Sequence, residues 1–205
     1  MKNKVPIPSL ERLCSIYHIL EQLETNGTEK VSSAQLGKEL CVNAYSVRKD
    51  ISYFGEIGNC RAGYEVSRLK EHLKVNLGFD IARTICVVGL GRLGCAILDY
   101  GLLPESDFRI VAGFDSNINK LETIHTDIPL YPAHEIVNVV KRKKIELGVI
   151  AVPGDAAAET ARRLSDGGVR GIVNFSPAVI KSQNNVFIRN MDLVVEFRIL
   201  SVLTN

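Results

Sequence analysis

An apolar run, Ile85-Cys86-Val87-Val88, leads directly into Gly89-x-Gly91-x-x-Gly94, and that join limits how the chain can fold more than any other feature. A strand entering such a turn must hand over to a helix at once. Gly89 permits the tight turn, Gly91 leaves the backbone open to close approach, and Gly94 lets the helix lie against the strand before it. The next apolar run, Ile110 to Phe114, ends at Asp115, 21 positions beyond Gly94. An acidic residue at that spacing suits the 2′-hydroxyl of a ribose, so this stretch reads as a dinucleotide site built from Gly89, Leu90, Gly91, Arg92, Leu93, Gly94 and Asp115. Ser116 and Asn117 follow with no arginine nearby, so a 2′-phosphate would meet a carboxylate without a cationic partner. NADH and NAD+ are therefore favoured over their phosphorylated counterparts.

The pattern downstream stays α/β. Strands are expected at Leu147 to Val152 and Gly171 to Phe175, with helices over 132–144 and 155–166. Val152-Pro153 and Phe175-Ser176 follow strand ends, the edge at which open parallel sheets bind ligands, and join the candidate cofactor contacts. The run Lys141-Arg142-Lys143-Lys144 reads as a solvated helix C-terminus, where cations complement the helix dipole. From Asp192 to Leu203, eight of twelve residues are aliphatic or aromatic. As a helix this segment is apolar on most faces and must be covered from both sides, which points to a partner subunit; the competing reading is a strand over 193–197.

The N-terminal part has a different character. Leu10, Leu13, Ile16, Tyr17, Leu20 and Leu23 recur at helical spacing from Ser9 to near Gly27. Ser32-x-x-Gln35 is a capping box flanked by a Val31 and Leu36 staple, and Asn43 can cap a third helix, Ala44 to Phe54. Two helices joined so closely make a helix-turn-helix. The third buries Val47, Ile51 and Phe54, leaving Tyr45, Ser46, Arg48, Lys49 and Ser52 for phosphates and base edges. Gly55, Gly58 and Gly63 lead to Tyr64-Glu65-Val66, which reads as a β-hairpin wing with Arg61 at its tip. A plain three-helix bundle with a solvated Arg-Lys face is the alternative.

Bulk charge does not choose between them. Residues 1–80 carry 11 Lys and Arg against 10 Asp and Glu, and residues 81–205 carry 14 against 13. A nucleic-acid surface must come from local arrangement. Cys14, Cys41, Cys60, Cys86 and Cys95 form no CxxC pair and no set with His at metal spacing, so reduced thiols and no metal are expected. The N-terminus has no apolar leader and no run is long enough to span a bilayer, which favours the cytoplasm. His18, His72, His125 and His134 form no acid/base constellation, and one nucleotide domain uses up the remaining 120 or so residues. An oxidoreductase is thus a weaker reading than a non-enzymatic sensor.

Several stretches together resemble the Rex family of redox-sensing transcriptional repressors: Val31-Ser32-Ser33, Val47-Arg48-Lys49-Asp50-Ile51-Ser52-Tyr53-Phe54-Gly55, the glycine motif, Gly113-Phe114-Asp115, Ala151-Val152-Pro153, Asn174-Phe175-Ser176-Pro177 and Asp192-Leu193. The resemblance implies a homodimer with an α/β architecture: a winged helix-turn-helix domain (1–80), a Rossmann-type parallel-sheet domain (81–190) and an exchanged C-terminal helix (191–205). It implies binding to palindromic operator DNA and release by NADH. Ser33, Ala44 and Tyr53 then join the DNA contacts, Tyr100 lies near the nicotinamide, and Arg12 and Asp192 form a pair that rearranges between states. The chain departs from the family at Cys60 and Arg61 in the wing, at Asn117 and at Ser176. A winged-helix regulator responding to coenzyme A, and a purely structural interaction module, are the other readings.

Overall fold

The computed structural model describes residues 5–55, 57, 63–99, 107–182 and 186–204. The chain divides into two compact units, Met1–Ile81 and Ala82–Asn205.

The first unit is helical. Helix α1 (Ile7–Thr25) buries Leu13, Ile16 and Leu20. Strand β1 (Lys30–Val31) precedes α2 (Ser33–Glu39), whose capping box closes as expected: the Gln35 N–H donates to Ser32 Oγ (3.1 Å) and the Ser32 N–H to Gln35 Oε1 (2.8 Å). Helix α3 (Ala44–Ser52) is capped by Asn43, whose Oδ1 accepts from the Ser46 N–H at 2.8 Å; it ends two residues before Phe54. Caps of this kind satisfy N–H groups that have no partner within the helix.

Much of the expected wing, Arg61 included, lies outside the described residues, and only its end at Val66 changes. Strand β2 (Tyr64–Glu65) pairs antiparallel with Lys30–Val31, and Val66 opens a further helix, α4 (Val66–Leu77), that ends on left-handed Gly78. The spacing of Val66, Leu69, Leu73 and Leu77 is helical, so the signal for α4 was present. Its buried residues complete one core with α1, α2 and α3.

The second unit holds a six-stranded, all-parallel sheet: β3 (Arg83–Val88), β4 (Phe108–Asp115), β5 (Leu130–Pro132), β6 (Leu147–Ile150), β7 (Gly171–Asn174) and β8 (Phe187–Asn190). Their order, β5-β4-β3-β6-β7-β8, is that of a doubly wound dinucleotide fold, with the order reversing beside β3. Both faces of β3 are buried, which is why its run is continuous rather than alternating. Cys86 and Val88 pack with α7 (Ile136–Lys143) and α8 (Gly154–Gly167), while Ile85 and Val87 face α5 (Arg92–Leu98), with the short α6 (Ile118–Thr123) beyond it. Burial pushes the Cys86 thiol up to about 12, so it behaves as an inert core residue. Strands β6 and β7 stop at Ile150 and Asn174, short of the expected ends.

The last element, α9 (Leu193–Leu203), is a helix rather than a strand; Asp192 caps it by accepting from the Val194 N–H at 2.8 Å. None of its residues is buried. No helix among the described residues is long and apolar enough to cross a membrane.

Candidate functional site

The cleft lies at the C-terminal ends of β3, β4 and β6, where the strand order reverses. It has a volume of about 670 Å³ and is lined by Gly89, Gly91, Asp115, Val152 and Pro153 among the expected residues. Each motif glycine is held to a different requirement. Gly89 has φ +94°, and a Cβ there would stand 2.5 Å from the Ala151 carbonyl oxygen. At Gly94 a Cβ would stand 1.9 Å from the Gly89 oxygen. At Gly91 a Cβ would meet nothing within 4 Å. The first two are therefore fixed by packing, whereas the third opens onto the cleft, where a pyrophosphate needs the space. The residues present fit a dinucleotide.

Asp115 is buried and its carboxylate is well supplied with donors. Oδ2 accepts from the Leu90 N–H (2.8 Å) and from Lys120 Nζ (3.3 Å), and Oδ1 accepts from the Asn117 N–H (2.8 Å). Desolvation pushes this carboxyl up, but the N–H groups of Asn117 and Leu90, together with Lys120, outweigh it and hold the group below its ordinary value. It is ionised at neutral pH. Lys120 overturns one step of the sequence argument: a cation does stand beside Asp115, brought there by the turn into α6.

The other expected contacts fall in several places. The Leu90 side chain is buried in the core and only its N–H serves the site, while Arg92 and Leu93 are exposed on the first turn of α5. Phe175 and Ser176 do not line this cleft. Ser176 is buried and its N–H donates to Asn174 Oδ1 at 3.0 Å, and Phe175 borders a separate apolar cavity with Val149 and Phe187. Tyr100 and Arg61 lie outside the described residues. The sequence reading missed Lys120, Ala133, Ile136, Thr160 and Arg163, all of which line the cleft. Ala133 and Ile136 follow β5, a strand too short to recognise, and Thr160 and Arg163 lie on successive turns of α8, where the sequence carries no signal for them.

In the helical unit, Tyr45, Arg48, Lys49, Ser52 and Tyr53 are exposed, and Ala44, Ser46 and Ser33 are partly so. Arg48 Nη1 donates to Ser33 Oγ at 3.0 Å, which holds the guanidinium between α2 and α3. The Ser52 hydroxyl donates within its own helix to the Lys49 carbonyl. Arg12 has its partner within the helical unit. Its guanidinium grips buried Asp50 of α3 through Nε (2.6 Å) and Nη2 (3.0 Å), and Nη2 also reaches Ser9 Oγ. Asp50 shares the inward face with Val47 and Ile51, a spacing that marks it as buried but does not name its partner. Asp192, in the other unit, serves as the cap of α9. No group of three or more His, Cys, Asp or Glu able to hold a metal is present among the described residues.

Comparison with known proteins gives this arrangement a family. The redox-sensing transcriptional repressor Rex 1 of Thermotoga maritima is 38% identical over 202 residues, covering 98% of this chain and 96% of that one. The chain belongs to the Rex family of redox-sensing transcriptional repressors. Rex proteins are regulators rather than enzymes, so the oxidoreductase reading falls away. Two family models also match, "CoA binding domain" over residues 80–178 and "Putative DNA-binding protein N-terminus" over residues 4–52. Among solved structures, the Rex-family repressor RSP in complex with β-NAD+ and operator DNA has a TM-score of 0.90 at 30% identity, covering 98% of this chain and 93% of that one. RSP in complex with β-NADH has a TM-score of 0.88 at 29% identity, covering 98% and 95%.

Proposed function

We propose that this protein is a homodimeric repressor of the cytoplasm that holds operator DNA through its helical unit and lets go when NADH fills the cleft of its Rossmann unit. The observation that carries this reading is the cleft itself, open at Gly91 and closed by ionised Asp115, in a chain matched almost end to end by a repressor solved with NAD+ and operator DNA and with NADH. Asp115 would accept from the adenosine ribose, Gly91 would admit the pyrophosphate, and Val152 and Pro153 would form a wall. On α3, Tyr45, Arg48 and Lys49 face outward for the major groove, with Ser33 beside Arg48 for a phosphate.

A ligand shifts a two-state protein only through a difference in its affinity for the two states. NADH therefore has to find contacts in the released dimer that the DNA-bound dimer lacks. Arg12 and Asp192 are the groups assigned to that exchange. The Arg12 and Asp50 pair gives it consequences: were Arg12 to leave, it would strand a buried carboxylate on the recognition helix itself.

The match to a coenzyme A domain model supports a second reading, in which the ligand carries a phosphorylated ribose. Buried, ionised Asp115 opposes it by like-charge repulsion. Fluorescence anisotropy of a palindromic operator duplex at fixed salt separates the two. NADH is expected to release the complex, and NADPH and coenzyme A to leave it intact at the same concentration. Release by coenzyme A alone would overturn the assignment. Arg48→Ala is expected to weaken the DNA complex roughly 10- to 100-fold without altering NADH binding; an unchanged complex would misplace the recognition helix.

A further inference from the structure

The carboxylate of Asp115 has room for about four donors. The N–H groups of Leu90 and Asn117 take two places and are fixed in the backbone. Lys120 Nζ takes a third at 3.3 Å, from a stem that is 45% exposed beside a carboxylate that is 7% exposed. Of the three, only Lys120 can swing. A ribose edge arriving at Asp115 therefore meets an anion and a mobile cation together, on the rim of one cleft.

We propose that Lys120 is a specificity-determining residue of this site: a latent ligand for a 2′-phosphate, kept from that role only by the charge of Asp115. The proposal rests on the reading of the cleft as an NAD(H) site. Specificity is a difference of affinities, and here one group supplies both halves of it. Ionised Asp115 rewards a 2′-hydroxyl and repels a phosphate dianion, and it also holds the ammonium that would bind that dianion. Remove the charge and both obstacles go. Lys120 is then free to make a charge-assisted contact with the phosphate, acting as a compact point charge.

The test is a cycle of calorimetric titrations with NADH and NADPH on the full-length protein, read as the ratio of the two dissociation constants. Asp115→Asn is expected to shift that ratio toward NADPH by about tenfold or more, the range of one charge-assisted contact. Adding Lys120→Gln to it is expected to erase most of the shift, and Lys120→Gln alone to move the ratio the other way. Asp115→Ser, which leaves more room beside the ribose, serves if the asparagine variant does not melt cooperatively. A shift that survives the loss of Lys120, or no shift in a folded Asp115 variant, would overturn the proposal. Failure of the unaltered protein to bind either dinucleotide would instead overturn the cofactor reading, and the proposal with it.

Discussion

Alanine at Gly91 is expected to weaken NADH binding sharply in a protein of unchanged stability, while alanine at Gly94 is expected to destabilise the nucleotide unit. The two sites are three residues apart and receive the same methyl group. At Gly94 the methyl would stand 1.9 Å from the Gly89 oxygen and 2.9 Å from its carbon. Both are backbone atoms of the turn, so no rotamer change relieves the clash. Helix α5 would have to lift off β3, taking Leu90 and Leu98 out of the core they share with Ile85 and Val87. Overpacking typically costs about 1–3 kcal/mol, and a clash between two backbone segments belongs at or above the top of that range. For a unit of this size a loss of about 3 kcal/mol lowers the melting temperature by roughly 10 °C. At Gly91 the methyl meets only the open cleft, so melting should stay within about 2 °C of the unaltered protein. There it fills the path of the pyrophosphate, and a steric penalty of about 1–3 kcal/mol corresponds to a roughly 10- to 100-fold loss of NADH affinity. Paired melts and calorimetric titrations check both arms. A folded Gly91→Ala protein with full NADH affinity would place the dinucleotide elsewhere.

This contrast shows which parts of the site were legible in the sequence. The glycine motif and Asp115 were readable because backbone geometry sets them: a turn that needs positive φ, a helix that must touch a strand, an acid at the end of the next strand. The caps of α2 and α3 were readable for the same reason, since Ser32, Gln35 and Asn43 act on N–H groups three residues away. What escaped was decided by the tertiary fold. Lys120 reaches Asp115 only because the chain turns into α6 directly after β4, and Arg12 finds Asp50 across 38 residues. Arg163 enters the cleft because α8 runs beside it, which no local pattern of α8 announces. Strands β5 and β8 are three and four residues long and exist by pairing at the sheet edges. The partner of Tyr64 and Glu65 was hidden for a related reason, since Lys30 and Val31, more than thirty residues earlier, supply it.

Removal of residues 191–205 is expected to leave a monomer that binds operator DNA roughly 100-fold or more weaker. Within one copy of the chain α9 buries nothing: Leu193, Val202 and Leu203 are each 75% exposed and Phe197 is 68% exposed. An apolar helix left in water is unfavourable, since each such side chain gains about 1.5–3 kcal/mol when fully buried. The second unit also leaves apolar surface open, in a cavity of about 610 Å³ beneath Val149, Phe175 and Phe187 on the β6-β7-β8 part of the sheet. A second copy would present both surfaces again, so an exchange of α9 can cover them symmetrically, as a two-fold interface requires. A dimer carries two recognition helices to two half-sites. Its second contact is then intramolecular, and linkage of this kind raises affinity by about 100- to 10,000-fold over a single module. Light scattering gives the mass and anisotropy gives the affinity. Phe197→Asp provides the finer test, because it keeps the helix and its Asp192 cap while placing a charge where the partner must pack. Loss of dimer in both variants, with NADH binding retained, would assign α9 to the interface; a truncated chain that stays dimeric at micromolar concentration would move the interface to the sheet.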